Sequence, residues 1–284
     1  MIYSIENEAV LLTLKRKNVF LFDMDGTIYI DDRVINGSVE FLNLIKKNGC
    51  ERFFFTNNSS KTREEYYHKL KGFGINTSTD EIITSNRITA AYLKKHYPNA
   101  RILYMGNYEA ASEIKDFGLN IIPPYKRFLD KKIDVAVLAY DTGINYEKIS
   151  VFSYFLKQNI PYIATHPDIN YPSNMGLIPD VGAFIAMFER STGRTPDQIL
   201  GKPSTVILDY VFQENNINRK DAVFFGDRLY TDIKMANDSN VSSVLVLSGE
   251  SQIEDVEKYP YSPDLIVDSL LDLYQLYKGE NQNE

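Results

Sequence analysis

Cysteine, tryptophan and histidine are almost missing from this chain of 284 residues, which has one Cys, no Trp and three His. A lone thiol cannot close an internal disulfide, so a disulfide-stapled scaffold is excluded. Cys50 reads as a small apolar residue at the start of a strand. The three histidines, His68, His96 and His166, are scattered and lack zinc-type spacing. No apolar run reaches the ~18 residues of a membrane span. The N-terminus, Met1 to Glu8, has neither the basic start nor the small-residue cleavage site of a signal peptide. A soluble, cytoplasmic protein is expected, with no membrane partner. A basic excess is missing too: 31 Lys and Arg stand against 38 Asp and Glu, a formal net charge of −7. Nucleic-acid binding therefore lacks its electrostatic footprint, and Lys15-Arg16-Lys17 reads as a solvated run. Small anions stay within reach, because a metal ion or a local cluster can reverse the sign at one site.

What is present is an ordinary globular mixture, 44% hydrophobic and 24% charged, at a length of one large or two medium domains. Short apolar runs end abruptly in polar residues. Val19-Phe20-Leu21-Phe22 stops at Asp23, Arg52-Phe53-Phe54-Phe55 at Thr56, and Ala222-Val223-Phe224-Phe225 at Gly226-Asp227. Such runs read as buried parallel strands. Amphipathic helices fall between them, the first from Gly37-Ser38 to Gly49, others at Ser204 to Asn216, Thr231 to Ala236 and Leu270 to Tyr277, before a frayed tail from Gly279 to Glu284. The alternation predicts an α/β fold with a doubly wound parallel sheet. The middle repeats the style, with strands at 102–106, 135–140 and 162–165. Helices are expected near Arg87–Tyr97, Tyr108–Phe117, Tyr146–Gln158 and Val181–Ser191.

The chemistry gathers at strand ends, where open α/β sheets bind ligands. In Asp23-Met24-Asp25-Gly26-Thr27 two carboxylates one residue apart start on one face of a strand, and Gly26 permits an unusual turn directly after them. Asp-Gly also suits a plain turn. Thr56-Asn57-Asn58 offers a hydroxyl and backbone N–H groups for an anion, or simply a helix cap. Lys202, between Gly201 and Pro203-Ser204, is a point charge for phosphate or a solvated lysine. In Gly226-Asp227-Arg228-Leu229-Tyr230-Thr231-Asp232, Asp227 is placed as a hard-metal ligand with Asp232 as a second or supporting acid; as a turn and a first-helical-turn charge they are equally at home. The bland readings compete at each place singly. Four strand ends carrying the same kind of cluster together describe a Mg²⁺ phosphoryl-transfer site.

These four segments, in this order, resemble the motifs of the haloacid dehalogenase (HAD) superfamily. More closely, they are similar to its class IIA subfamily of NagD-like and 4-nitrophenyl phosphatases. The similarity runs through Ala164-Thr165-His166-Pro167-Asp168 and so spans nearly the whole chain. It implies a Rossmann-like HAD core over residues 1–85 and 194–284 with an inserted α/β cap domain over 86–193. The stretch from Asn58 to Lys202 is indeed several times the ~30 residues that a single crossover needs. The resemblance implies Asp23 as nucleophile, forming an aspartyl-phosphate, and Asp25 as the group that protonates the leaving alcohol and then activates water. It implies Mg²⁺ held by Asp23, the Asp25 backbone carbonyl and Asp227, with Asp232 in support. Thr56, Asn57 and Asn58 with Lys202 would hold the phosphate. His166 and Asp168 would face the substrate from the cap; the family often carries Asn where this chain has His166. An acid at Asp25 separates phosphatases from the dehalogenases of the superfamily.

The expected function is thus a Mg²⁺-dependent phosphatase of small phosphomonoesters: nucleotide, sugar or related metabolite phosphates, and aryl phosphates such as 4-nitrophenyl phosphate. A homodimer through the cap is compatible with the resemblance. Two other classes compete. A phospho-acceptor signalling module also uses Asp, Thr and Lys at strand ends, but it carries its phosphorylated Asp on an interior strand and has no large insert. A phosphometabolite-binding protein without turnover would not need every reactive side chain that is present here.

Overall fold

The structure is a computed structural model and describes residues 8–173 and 175–280. The start of the chain, where a signal peptide was looked for, lies outside those residues up to position 7, as does the expected tail from Asn281 onward. By internal contacts the chain forms two units, one of residues 1–56, 66–83 and 208–284, the other of residues 57–65 and 84–207.

The first unit is built on a six-stranded sheet. Its central strand, Val19–Asp23, is buried at every position, as expected of a strand covered on both faces. It pairs in parallel with Glu51–Thr56 on one side and Ala222–Gly226 on the other. The sheet continues through Ser242–Val246 and Leu265–Val267, again parallel, and ends at the opposite edge in Ile82–Thr84. Phenylalanines hold its faces together. The Phe22 and Phe225 rings stack at 4.8 Å, and Phe41 of the helix Ser38–Lys47 meets both edge-on. That helix turns Phe41, Leu42 and Ile45 into the core at a spacing of three to four residues. Among these elements the guanidinium of Arg52 is buried. Arg52 donates to the Leu42 carbonyl at 2.6 Å, to the Asn76 carbonyl, and to Glu81 at 3.2 Å, so the helix and the 73–81 segment are tied to the second strand.

The second unit has a five-stranded parallel sheet of Arg101–Met105, Asn120–Ile122, Val135–Leu138, Tyr162–Ala164 and Gln198–Ile199. Across the sheet, counting these strands in chain order, the sequence is second, first, third, fourth, fifth. Asn145 caps the helix Tyr146–Leu156 by accepting from the Lys148 N–H, and Gly193 ends Val181–Thr192 in a left-handed conformation. The segment 57–65 is seated here through Glu113, which is buried. Its carboxylate accepts from the Arg63 N–H at 2.7 Å and from the Thr84 hydroxyl at 2.5 Å, and burial pushes its pKa up.

The α/β class and the doubly wound parallel sheet agree with the sequence reading. Several boundaries differ. Gln198–Ile199, expected to belong with the tail, is the edge strand of the second sheet, because its pairing partner is Tyr162–Ala164. The 231–236 helix is a π-type turn, Leu229–Ile233, followed by a short α-helix, Lys234–Asp238. The helix expected over 108–117 shrinks to Ser112–Asp116, and the last helix runs on to Glu280. The strand Asn120–Ile122 and the hairpin Asn170–Ser173 with Gly176–Pro179 were not expected.

Candidate active site

The parallel register that sets Phe22 against Phe225 brings two strand ends side by side. Asp23 closes one and Asp227 follows the other. Asp232 comes back to them from the π-type turn. All three are buried, and each offers a carboxylate oxygen within 4.8 Å of the other two. The protein builds this cluster deliberately close. The Glu250 N–H donates to Asp227 Oδ2 at 2.7 Å and the Ser251 N–H to the Asp227 carbonyl at 3.1 Å, while the Arg228 N–H donates to Asp232 Oδ2 at 3.2 Å. A Cβ on Gly26 or Gly249 would overlap the Asp227 carboxylate. Gly26 also has φ of 89°, a conformation side chains resist.

Like charges this near one another are unfavourable by about 4 kcal/mol per close pair even at an effective dielectric near 20. A bound cation removes that cost. The donor set is all carboxylate oxygen, with neither His nor Cys, which suits a hard divalent ion rather than zinc. The residues therefore fit the Mg²⁺ that the sequence pattern implied.

The carboxylate of Asp25 is not part of this group of three. Gly26 turns the chain at once, its N–H donating to the Tyr29 carbonyl at 2.8 Å while Ile28 N–H returns to Met24. Asp25 is left half-buried, with the Tyr29 hydroxyl 3.5 Å from its Oδ2. Ser248 Oγ pins the same turn by donating to the Gly26 carbonyl at 2.8 Å. Thr56, buried, ends the neighbouring strand. The segment 248–251 escaped sequence reading, although it too follows a buried strand, Ser242–Val246, and carries a glycine.

The remaining expected residues gather in the second unit. Asn57 clasps Lys202 through the backbone: its Oδ1 accepts from the Lys202 N–H at 2.8 Å and its Nδ2 donates to the Lys202 carbonyl at 3.0 Å. The same Nδ2 donates to Asp168 at 2.9 Å. Gly201 allows this approach, since a Cβ there would come within 2.6 Å of Asn57 Oδ1. Asn58 Oδ1 accepts from the N–H of Ser60 at 2.8 Å and from its hydroxyl at 2.6 Å, a local turn. His166 departs from expectation. It is fully buried, with Nδ1 2.9 Å from Thr165 Oγ1 and Nε2 3.1 Å from Asp180 Oδ1. It is built in as a bridge within the unit rather than facing outward from a loop. Thr165 and Ser59 belong to this chain of contacts, Ser59 accepting from the Tyr140 N–H at 2.8 Å; Asp180 gave no sequence signal beyond that of a helix-capping residue.

The chain is similar to known proteins in sequence and fold. Residues 20–120 match the family model of haloacid dehalogenase-like hydrolases, and residues 199–273 match a second model of HAD-hydrolase-like proteins. The acid sugar phosphatase of Staphylococcus epidermidis is 29% identical over 88% of this chain and 94% of its own. Among solved structures, the 4-nitrophenylphosphatase of Thermotoga maritima superposes with a TM-score of 0.86 at 36% identity, covering 93% of this chain and 98% of that one. The glycerol phosphate phosphatase of Mycobacterium tuberculosis, solved in complex with magnesium, gives 0.85 at 25% identity, covering 93% and 78%. Among the described residues, no helix is long and apolar enough to cross a membrane.

Proposed function

Because the chain belongs to the haloacid dehalogenase superfamily, in its class IIA NagD-like and 4-nitrophenyl phosphatase branch, and is a phosphatase, we infer that it hydrolyses small phosphomonoesters with Mg²⁺ through an aspartyl-phosphate. The sugar-phosphate and glycerol-phosphate names of its relatives, and the aryl phosphate of another, mark the substrate class: small phosphorylated metabolites, with 4-nitrophenyl phosphate as a convenient surrogate.

The observation that carries this reading is the buried trio Asp23, Asp227 and Asp232 at adjacent strand ends. Asp23 attacks phosphorus with one carboxylate oxygen. Asp25, just outside the trio and partly exposed, is the group to give a proton to the leaving oxygen and then take one from the attacking water. Thr56, the Asn57 backbone and Lys202 are assigned to the phosphate, Lys202 as its counter-charge. Asp227 and Asp232, with Asp23 and the Asp25 carbonyl, would hold Mg²⁺. That ion would supply positive charge against both the carboxylates and the phosphoryl oxygens. The inserted segment, expected over 86–193, is the candidate for choosing among substrates.

Phosphate release from 4-nitrophenyl phosphate and from a panel of sugar phosphates tests the reading. Turnover should vanish in chelator, return with Mg²⁺ or Mn²⁺, and return only weakly with Ca²⁺, whose higher and looser coordination would compete for the carboxylate oxygen that Asp23 needs for attack. Full turnover in chelator, or in Asp23→Asn, would overturn it.

A further inference from the structure

The second unit holds a cavity of about 610 Å³ lined by residues that have no role above. Its size is that of a small-ligand pocket, and its place in the sheet is telling. The chain leaves the first strand, Arg101–Met105, toward Asn120–Ile122 on one side. It leaves the neighbouring third strand, Val135–Leu138, toward Tyr162–Ala164 on the other. Where connections diverge in this way, a crevice opens beyond the carboxyl ends of the two strands, and open α/β sheets bind ligands there. Gly106, Asn107 and Tyr108 follow the first strand, Asp141, Thr142 and Gly143 follow the third, and all six line the cavity.

The chemistry of the lining narrows the ligand. One wall is Tyr108, with Lys115 Nζ 3.6 Å from its ring centroid. Another is Tyr125 and Phe128, with the Arg127 guanidinium 5.3 and 4.9 Å from their rings. Lys115 and Arg127 are exposed cations lying on ring faces, an arrangement that is weak at exposed sites. Either does better against an anion, because charge-assisted bonds are roughly twice as strong as neutral ones. The rings then become free to stack a flat ligand. Deeper in, the Asp141 carboxylate is buried. It accepts from Lys148 Nζ at 2.7 Å and from the Gly143 N–H at 2.9 Å, and a carboxylate has about four acceptor positions. It can therefore also accept from a ligand hydroxyl.

We propose that this crevice is a second ligand site, separate in composition from the carboxylate trio, for a nucleoside monophosphate. The base stacks on the aromatic wall, a ribose hydroxyl donates to Asp141, and the phosphate meets Lys115 and Arg127. Inorganic phosphate alone would leave the rings unused, and an uncharged ring would leave the cations unused.

Photolabelling of the full chain with 8-azidoadenosine 5′-monophosphate tests this, with EDTA present so that no turnover intervenes. The readout is the position of the adduct, which does not depend on the catalytic reading. Adducts are expected on peptides within 104–128 or 141–148. AMP should protect and inorganic phosphate at the same concentration should not. Lys115→Ala with Arg127→Ala, both at exposed positions, should reduce labelling about tenfold or more. Labelling confined to peptides outside 104–148, equal protection by phosphate, or undiminished labelling of the double variant would each overturn the proposal.

Discussion

Both sheets bring polar side chains to the carboxyl ends of parallel strands, yet they do opposite things with them. The first sheet ends in like charges, three buried carboxylates within 4.8 Å. The second unit instead gathers complementary partners: Asn57 with Lys202 and Asp168, and His166 between Thr165 and Asp180. A cluster of one sign stores repulsion that an incoming cation relieves, so it is fitted to bind and react. A cluster of matched donors and acceptors is fitted to hold chain segments in register. The two clusters thus differ in charge pattern, although both are largely buried and both belong to units built on parallel sheets.

The sharpest break of this comparison is Asp23→Asn. Turnover should fall by about 10⁴ or more, while stability measured in chelator should rise, because one of three mutually repelling charges is gone. A Tm that drops would show the trio to be scaffolding after all. Next comes Arg52→Ala, a test inside the first unit of the rule attributed to the second. Its partners Leu42, Asn76 and Glu81 are matched to it, so its loss should destabilise by about 3–5 kcal/mol in denaturant unfolding. Gly249→Ala pushes a methyl into the Asp227 carboxylate and should raise the Mg²⁺ needed for half activity by about 10–100-fold at little change in unfolding midpoint.

His166→Ala should cost about 1–3 kcal/mol through the polar groups it leaves behind, the reverse in sign of Asp23→Asn. Equal stability of wild type and His166→Ala would remove the contrast. The smallest effect concerns acid. Burial pushes the Glu81 carboxyl up, but the Thr77 hydroxyl, Arg52 and Lys46 outweigh it and hold the pKa below the ordinary 4.5. A lowered pKa means stability that is present above 4.5 and lost as pH falls through the folded value. Urea midpoints at neutral pH and near pH 4 should therefore differ less in Glu81→Gln than in the wild type.

What could be read from the sequence follows from what leaves a local trace. The strands of the first unit announce themselves as apolar runs cut off by Asp, Thr or Gly, and the three acids the structure clusters lie in two of those cuts. The exclusion of the Asp25 carboxylate left no trace, because it depends on how the chain turns at Gly26. The edge strand Gln198–Ile199 was misplaced since two residues carry no period; only its partner Tyr162–Ala164 identifies its sheet. His166 does lie in the loop that follows Tyr162–Ala164, but the family resemblance that has it facing substrate carries no information on its burial. Its burial is fixed by Asp180, on the far side of a hairpin that itself had no clear signal.

The Asn57 clasp on Lys202 joins positions 145 residues apart in the chain. Between those two positions the chain does not stay in the second unit: residues 66–83 belong to the first, and the edge strand Ile82–Thr84 of its sheet lies in the same stretch. The clasp is thus a buckle within the second unit. Closing a loop of that length costs only a little more than closing a short one, because the cost grows with the logarithm of length. One amide side chain holds together two points that the chain itself leaves far apart.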